Sequence, residues 1–399
     1  MRIVPIHKLV KRISTWDPRK ESSSKSFKYI DLSSIDKEKK IIDQEQVVSI
    51  EPGKAPSRAR QLIELDDVLV ATVRPNLNGV ALVDDIQYSG ATASTGYCVL
   101  RPNKELLEPK YLYFWVRTNH FINEMVKLST GANYPAISDR TVKSSNIPLP
   151  FLEEQKRIAA ILDKADAIRR KRQQAIDLTD QLLRSVFLEL FGDPVTNPKG
   201  WRRIALQDVV SAVIDCPHST PRWTEEGKVA IRTSNLTVGG WDWADKRYVS
   251  EEEYHDRSKR SYVEPGDIIL SREGTVGVAA IVQEGMEICL GQRLVQLKPN
   301  LEIANSEYIL HILLYELDPE RLERVMVGAT SKHLNVKELR ALRILVPLLE
   351  IQDKFKKIVK KITMRSSRLA KSSSLDENLF SALTQSAFCG ELTQQTESA

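Results

Sequence analysis

The sequence predicts an α+β protein in which two duplicated domains of mixed helix and strand are separated by two long helices. We expect these helices to form an antiparallel coiled coil, so that the two copies are related by a pseudo-twofold axis. Three observations lead to this prediction. The sequence matches itself at an offset of 197 residues, and each copy contains one long segment of heptad-spaced apolar residues. A chain of 399 residues is also longer than a typical single domain with one hydrophobic core.

The duplication appears at landmarks that lie far apart in the chain but share one offset. The landmarks at an offset of 197 are Arg101 with Lys298, Gly131 with Gly328, Gln155 with Gln352, and Phe191 with Phe388. Further upstream Asp67 aligns with Asp267, an offset of 200 that small loop insertions explain. Because only two long copies are present, the repeated unit is a domain plus a helix and not a solenoid repeat.

Each copy begins with a mixed domain, and we place these domains at residues 1–150 and 193–348. Short apolar runs predict strands at residues 62–73 and 79–84, and at 263–270 and 277–282 in the second copy. Helical spacing of apolar residues then predicts helices at 109–127 and 306–325. A loop that begins Gly-Ala and a final strand complete each domain.

One long helix follows each domain, in regions that we place at 151–192 and 349–399. The first begins after Pro150 and ends at Phe191, where Gly192 and Pro194 stop it; the second runs from about Glu350 to Phe388. About 41 residues at about 1.5 Å each would span about 60 Å, so that a paired helix could hold the two domains well apart.

The apolar residues of both helices alternate in steps of three and four, which is the coiled-coil period. The predicted seam contains Ile158, Ile161, Ile168, Leu182, Phe355, Ile358, Leu369 and Leu379. Polar residues interrupt it, and we expect Arg172 to reach Asp376. The apolar stripe is wider than a two-helix seam needs, which makes Leu183, Phe187, Leu190 and Phe380 candidates for docking a partner. The alternative is that each helix packs only on its own domain.

Several segments resemble those of a known family. Residues 151–166 (FLEEQKRIAAILDKAD) and 191–194 (FGDP) closely resemble the central region of bacterial type I restriction-modification specificity subunits. Residues 346–352 (VPLLEIQ) are similar to the second such region, and residues 131–137 (GANYPAI) to a loop of the family. Ser219-Thr220-Pro221 matches a motif near the start of a recognition domain, whereas the first domain lacks a clear counterpart.

This resemblance implies two target-recognition domains, each reading one half of a split site in double-stranded DNA. It further implies that two methyltransferase subunits dock on the duplicated scaffold and that motor-nuclease restriction subunits join them. S-adenosylmethionine, ATP and magnesium would then belong to the partners, and this chain would carry no cofactor. We expect a cytoplasmic protein without a membrane span. The net charge of +5 is compatible with binding phosphates but does not by itself indicate it.

Candidate DNA-binding residues are those whose side chains suit base edges or phosphates and which fall in loops at matching places of the two copies. In the first copy they are Arg74, Asn76, Asn133, Tyr134 and Arg140. In the second copy they are His218, Ser219, Thr220, Arg222, Arg232, Arg272, Gln292, Arg293, Ser331, Lys332 and His333. For each of them the alternative is an ordinary solvated side chain. Trp241 and Trp243 could stack on bases or belong to a core.

The sequence contains no pattern that predicts catalysis. Neither a P-loop nor a methyltransferase motif is present, and the four cysteines form no CxxC pair. We therefore expect neither catalytic residues nor metal ligands. Two rival functions stay open. Asp215, Glu226 and Lys228 loosely fit a metal-dependent nuclease, and the long helices could belong to a coiled-coil module that binds other proteins.

Overall fold

The computed structural model describes residues 2–20, 25–131, 133–273, 276–318 and 334–392. The chain forms two compact units. Unit 1 comprises Met1–Ala175 with Leu369–Ala399, and unit 2 comprises Ile176–Arg368. Each unit therefore combines one mixed domain with one end of each long helix. The domain boundaries drawn from the sequence treat the helices as separate regions, and they stay a prediction.

Unit 1 contains two four-stranded sheets among its described residues, with strand orders β6-β3-β10-β7 and β2-β11-β8-β9. Its strands are β1 Arg2–Pro5, β2 Val10–Lys11, β3 Phe27–Ile30, β4 Ile35–Asp36, β5 Ile41–Ile42, β6 Val48–Ile50, β7 Ala59–Leu62, β8 Val68–Ala71, β9 Val80–Leu82, β10 Thr92–Ser94, β11 Tyr97–Pro102 and β12 Asn146–Leu149. Its helices are α1 Pro109–Trp115, α2 Asn119–Lys127, α3 Asp139–Ser144 and the first part of α4 Leu152–Phe191. Strand β12 pairs with β1.

Unit 2 repeats this arrangement. Its strands are β13 Arg202–Ala205, β14 Val210–Asp215, β15 Trp223–Thr224, β16 Lys228–Ile231, β17 Leu236–Thr237, β18 Gly240–Trp241, β19 Tyr248–Val249, β20 Ile268–Ser271, β21 Ala279–Ile281, β22 Ile288–Leu290, β23 Leu294–Pro299 and β24 Arg343–Val346. Its helices are α5 Leu206–Val209, α6 Glu251–Arg257, α7 Ser306–Glu316, α8 Val336–Ala341 and the first part of α9 Leu349–Cys389. The order β14-β23-β20-β21 matches β2-β11-β8-β9, and the parallel pair β16/β22 matches β3/β10. The predicted duplication of a mixed domain is thus confirmed.

A shared glutamine explains one landmark of the duplication. In unit 1 the Gln155 side chain accepts from the backbone N–H of Glu108 at 3.0 Å and donates to the carbonyls of Leu106 and Pro150 at 3.1 and 3.0 Å. In unit 2 Gln352 makes the same three bonds, to Asn305, Ile303 and Pro347, at 3.0, 3.1 and 2.8 Å. Because both amides are buried, each satisfies three backbone groups that water cannot reach.

Two predicted elements of the mixed domain were wrong in detail. The strand expected at 62–73 is shorter, β8 alone, because the buried Asp67 carboxylate accepts from the Glu64 N–H at 2.8 Å and closes a turn between β7 and β8. The helix expected at 109–127 is interrupted after Trp115. Thr118 takes extended backbone angles and caps the second helix by accepting from the Phe121 N–H at 3.2 Å.

The two long helices have the predicted bounds to within two residues, and they run antiparallel within each unit. In unit 1, Arg169 of α4 pairs with Glu377 of α9 at 3.1 Å, and Arg172 pairs with Asp376 at 3.0 Å. Residue numbers therefore rise along one helix as they fall along the other. The second of these ion pairs confirms the predicted contact between Arg172 and Asp376. In unit 2, the Phe187 and Phe191 rings of α4 meet Phe355 of α9 at 5.7 and 5.2 Å.

The helix seam is displaced from the predicted one. Ile168, Leu182 and Leu379 were placed in the seam, but their exposed fractions are 53%, 49% and 56%. Leu162, one position beyond Ile161, is fully buried instead. In a heptad repeat, a second row of apolar residues can lie three or four residues after the first. The residues that are buried in these helices, such as Ile158 and Leu162, are four residues apart.

The predicted docking face was wrong for the most buried of its residues. Phe187 is only 3% exposed, because its ring packs against Phe191, Tyr308 and Phe355 inside unit 2. Leu190 packs partly buried against the same core, and Phe380 packs partly buried against the core of unit 1. These side chains hold each domain to the helices and are not free for a partner.

A buried ion pair joins the turn between α1 and α2 to α4 in unit 1. The Arg117 guanidinium lies 2.9 Å from the fully buried Asp166 carboxylate and over the rings of Tyr113 and Phe114, at 4.7 and 5.2 Å. Burial opposes ionisation of Asp166, but the neighbouring guanidinium groups, Arg117 foremost, outweigh it and lower the pKa of this carboxyl. The pair orients α4 relative to the domain that carries the first candidate site.

Candidate nucleic-acid interface

The first candidate site lies in unit 1, where two loops are held together by their backbones. Val73 forms a β-bridge with Ala136, and the N–H of Arg74 donates to the carbonyl of Pro135 at 2.7 Å. The loop after β8 therefore lies against the loop before α3. This contact places the Arg74 guanidinium over the Tyr134 ring, 4.7 Å from its centroid. The structure thus brings together two residues that lie 60 positions apart in the sequence.

The local sequence explains the shape of the Arg74 loop. Pro75 starts a 3-10 turn, Pro75–Leu77, and the residues on either side of it, Arg74 and Asn78, have φ angles of +50° and +45°. Lys40 donates to the Asn78 carbonyl at 2.6 Å, and the Asn78 amide donates to the Val116 carbonyl at 3.1 Å. The loop is therefore tied to the domain behind it. Sequence reasoning missed Lys40 because its partner is a backbone atom, which leaves no pattern in side chains.

Lys40 also illustrates the charge of this region. Burial, assisted by the positive charges of Arg117 and Arg169, lowers the pKa of Lys40 to about 8. The carboxylates of Asp36 and Glu38 only partly offset this lowering of the Lys40 pKa.

Asn76, Asn133 and Tyr134 are exposed beside Arg74, and Arg140 is exposed on α3. An open cavity of about 210 Å³ borders the Arg74–Tyr134 pair and is also lined by Lys37, Leu77 and Tyr97. The first domain therefore presents an aromatic ring, a guanidinium and amides at one surface. These are groups that suit base edges, although contact with DNA stays a prediction for each of them.

The second candidate site lies in unit 2, where three segments converge. The Gln292 amide donates to the carbonyl of His218 at 2.9 Å, and the Arg272 N–H donates to the carbonyl of Arg293 at 3.1 Å. The Asp215 carboxylate lies 3.3 Å from both the His218 imidazole and the Arg272 guanidinium. The segment after β14, the end of β20 and the loop before β23 therefore form one surface.

A buried arginine supports this second surface. Arg257, whose side chain is 2% exposed, donates to the carbonyls of Leu290 and Ser219 at 2.8 and 3.1 Å and lies 3.3 Å from Glu253. Burial opposes ionisation of Glu253, but Arg222 and Arg257 lower the pKa of this carboxyl. Arg257 thus fixes the loop that carries Ser219 and Thr220. Sequence reasoning missed it because a single arginine in a helix gives no sign of its partners.

The four candidate arginines of the second domain all have carboxylate partners, and Arg293 lies 3.4 Å from Glu273. Arg272 is a correction to the sequence prediction: its side chain is 7% exposed and lies between Asp215 and Glu273, at 3.3 and 3.4 Å, so it supports the loop and does not present a free edge to DNA. Arg222 pairs with Glu253 at 2.7 Å, and Arg232 pairs with Asp245 at 2.8 Å. His218, Ser219, Thr220 and Arg293 are exposed, and Gln292 is half-buried.

Ser331, Lys332 and His333 lie outside the described residues. Leu334, which directly follows these residues, is described and makes a backbone hydrogen bond. The N–H of Leu334 donates to the carbonyl of Arg272 at 2.8 Å, as the N–H of Ile137 donates to that of Thr72 at 2.8 Å in unit 1. The two loops therefore rejoin their domains at equivalent positions.

The tryptophan pair and the rival nuclease residues have other roles. Trp241 and Trp243 stack on each other at 5.2 Å, and the Trp241 indole donates to the Ile281 carbonyl at 3.0 Å, which favours their interpretation as core residues. Lys228 pairs with Glu287 and lies 3.9 Å from Glu251. Across the described ranges, no group of three or more His, Cys, Asp or Glu side chains is placed to hold a metal ion.

Three of the four cysteine side chains are buried. Burial raises the pKa values of Cys98, Cys216 and Cys289, as expected for core thiols, whereas Cys389 is exposed.

Within the part of the chain that the structure describes, no helix combines the length and the apolar character that crossing a bilayer requires.

Comparison with known proteins gives a consistent picture. The sequence pattern described as "Type I restriction modification DNA specificity domain" matches residues 62–178 and 198–374. The putative type I restriction enzyme MjaX specificity subunit of Methanocaldococcus jannaschii is 27% identical over 282 residues, which cover 66% of this chain and 63% of that protein. The match thus spans less than two thirds of that relative.

Solved structures match over nearly the whole chain. One, from work on complex assembly and conformational transition of the type I R-M system, is 27% identical with a TM-score of 0.55, and covers 97% of both chains. The S subunit of a type I restriction-modification system from M. genitalium shares the fold, with a TM-score of 0.59 and 15% identity over 97% of this chain and 96% of that one.

Proposed function

Because the chain belongs to the type I restriction-modification DNA specificity family, we propose that it reads DNA sequence for a type I restriction-modification complex and performs no chemistry itself. Each domain would read one half of a bipartite site in double-stranded DNA. One observation above all supports this proposal. The Leu334 N–H bonds the Arg272 carbonyl just as the Ile137 N–H bonds the Thr72 carbonyl, while the residue types in the loops that precede these two positions differ. A constant frame with variable tips is what two readers of different sequences need.

The two candidate sites present different side chains, which supports a split target whose two half-sites differ in sequence. The first presents Arg74 on Tyr134 with neighbouring asparagines, and the second presents His218 and Arg293 beside Gln292. Different donors and acceptors select different base pairs in the major groove. The proposal therefore requires that the two half-sites differ and that each depends on one domain.

The partners in this proposal are two methyltransferase subunits and, beyond them, motor-nuclease restriction subunits. The methyl donor, ATP and magnesium would be bound by those subunits. Large apolar side chains on the long helices are exposed at four-residue spacing, Leu375 with Leu379 in unit 1 and Leu178 with Leu182 in unit 2. Such pairs form a continuous apolar strip on a helix surface, which suits docking of another helix. Work on cellular DNA would place the complex in the cytoplasm.

The nuclease alternative receives less support. It requires Asp215 and Lys228 to act on a metal-bound phosphate, yet Asp215 already pairs with Arg272 and Lys228 with Glu287. Incubating the purified chain with duplex DNA and magnesium tests it directly. Cleavage that is lost on substitution of Asp215 would favour the nuclease over the specificity subunit.

Methylation mapping tests the proposed function. The gene is expressed with and without its methyltransferase partner in a host that lacks DNA methylation, and modified bases are mapped across the genome. We expect one split motif with two defined parts and a fixed gap, present only when both genes are expressed. If the methyltransferase modifies the same sites without this chain, the chain does not determine sequence specificity.

A further inference from the structure

We propose that Arg74 reads a guanine in the half-site of the first domain and that Tyr134 is the positioning residue that orients its guanidinium. The inference rests on the proposed function, since it assigns one base of the target to one side chain. It is carried by the juxtaposition of three features: a backbone-anchored arginine, an aromatic ring beneath it, and a guanidinium with no carboxylate partner among the described residues.

The backbone of Arg74 is held in place before any ligand arrives. Its φ of +50° lies in the left-handed region, which costs a non-glycine residue energy and persists only where the surroundings impose it. The surroundings here are the 2.7 Å bond from the Arg74 N–H to Pro135 and the bridge between Val73 and Ala136. The side chain therefore leaves the surface from a fixed point and in a fixed direction.

The Tyr134 ring restricts the guanidinium itself. At 4.7 Å from the ring centroid the planar group is within cation–π range, and Tyr134 is 68% exposed, so the stacked pair stands at the surface. An arginine with one face covered loses much of its rotational freedom but keeps its N–H groups free at the edge. That edge is the part which bonds a base.

Its lack of an ion-pair partner among the described residues distinguishes Arg74 from the candidate arginines of the second domain. Among the described residues, Arg74 has no carboxylate within ion-pair distance, whereas Arg222, Arg232, Arg272 and Arg293 each have at least one. A guanidinium that already bonds a carboxylate has fewer donors to offer. Arg140 also has no carboxylate within ion-pair distance among the described residues, but Arg74 is the one of the two that is also stacked on an aromatic ring.

Guanine is the base that this geometry fits. Its O6 and N7 atoms form a pair of acceptors in the major groove that matches the arginine fork, whereas adenine offers one acceptor beside a donor. A phosphate is the competing ligand, because it too accepts bidentate bonds. Lysine binds phosphate well but cannot form the fork, so substitution by lysine separates the two ligands.

The experiment uses the full chain in complex with its methyltransferase and a duplex that carries the motif defined by methylation mapping. Binding is measured by competition with duplexes in which each guanine is replaced, in turn, by 7-deazaguanine or by adenine. For the unaltered chain we expect both replacements to weaken binding at one guanine of one half-site. For Arg74→Lys and Arg74→Ala we expect that preference to fall by roughly 5- to 150-fold, with the other half-site unaffected.

Two variants of Tyr134 test the positioning role. Tyr134→Phe keeps the ring and should keep the preference, whereas Tyr134→Ala should lose most of it while the affinity for non-specific duplex stays unchanged. Arg293→Ala, in the second domain, is the matched control and should leave the first half-site as it was. Circular dichroism checks that each variant is folded.

Three results would overturn the inference. Arg74→Lys could retain full discrimination, Arg74→Ala could weaken all duplexes equally and reduce the salt dependence by about one phosphate contact, or the first half-site could contain no guanine. Failure of the proposed function would look different, because the unaltered complex would then show no split motif and no sequence preference at all.

Discussion

Replacing Arg257 by methionine should abolish recognition of the second half-site while leaving the first intact. Arg257 never reaches the surface, since its side chain is 2% exposed. It nevertheless bonds the carbonyls of Ser219 and Leu290 and lies beside the Glu253 carboxylate. Methionine fills a similar volume but offers no donor, so that three acceptors lose a charged partner at once.

The magnitude follows from these contacts. Hydrogen bonds to charged groups contribute about 1.5–3 kcal/mol each, and breaking a buried ion pair by removing one partner costs about 3–5 kcal/mol. Glu253 keeps Arg222 at 2.7 Å, which reduces the loss, so we expect unit 2 to lose about 3–4 kcal/mol of unfolding free energy. A domain with typical stability would remain folded at low temperature.

The assay combines urea unfolding with methylation mapping at a temperature at which the variant is folded. Arg257→Lys keeps a positive charge beside Glu253 but cannot reach both carbonyls, and it should show an intermediate loss. Arg247→Met is the control, because Arg247 is exposed and stacks on Trp223. Full recognition of both half-sites by a folded Arg257→Met protein would refute the reasoning that this arginine holds the reading loop.

Three further predictions concern stability and partners. Gln155→Leu should destabilise unit 1 and Gln352→Leu should destabilise unit 2, each by about 2–4 kcal/mol, because three buried backbone groups lose their hydrogen-bond partner. Hydrogen exchange measured separately for each unit checks this prediction. Equal destabilisation of both units by one variant would contradict it. Burial lowers the pKa of His311 to about 4, so the stability that its neutral ring contributes is present above about pH 6.5 and is lost as the pH falls toward 4, by up to about 3 kcal/mol. Urea unfolding from pH 7 to 4 should show this decline, and His311→Leu should flatten it. Replacing both Leu375 and Leu379 by serine should leave the melting temperature nearly unchanged but reduce co-purification of the methyltransferase; undiminished co-purification would exclude this strip as a docking site.

The sequence predicted the architecture well because its signals are local or repeated. Proline and glycine punctuation bounded both long helices to within two residues, and a constant offset revealed the second copy. The sequence-based prediction failed where a break in an apolar run depends on one polar side chain. Asp67 closes the turn that shortens a predicted strand, and Thr118 caps a helix and so interrupts a predicted one, because each bonds backbone N–H groups that hydrophobic periodicity does not reveal.

The candidate site divides along the same line. From the sequence alone, residue type and position in matching loops selected Arg74, Tyr134, Arg272 and Arg293. Residue type determines what a side chain can bond, but its availability depends on neighbours that are distant in the chain.

By itself, then, the sequence determined the duplication, the fold class, the long helices and the pairing of Arg172 with Asp376, since these follow from spacing along the chain. The tertiary structure alone decided which apolar stripe of each helix is buried and which arginines are free. Arg272 meets Asp215, 57 positions away, and becomes a support, whereas Arg74 meets the ring of Tyr134 and has no carboxylate partner in the described part of the chain. The physical reason is that a charge is neutralised by whatever lies within a few ångströms of it, and that distance is set by folding.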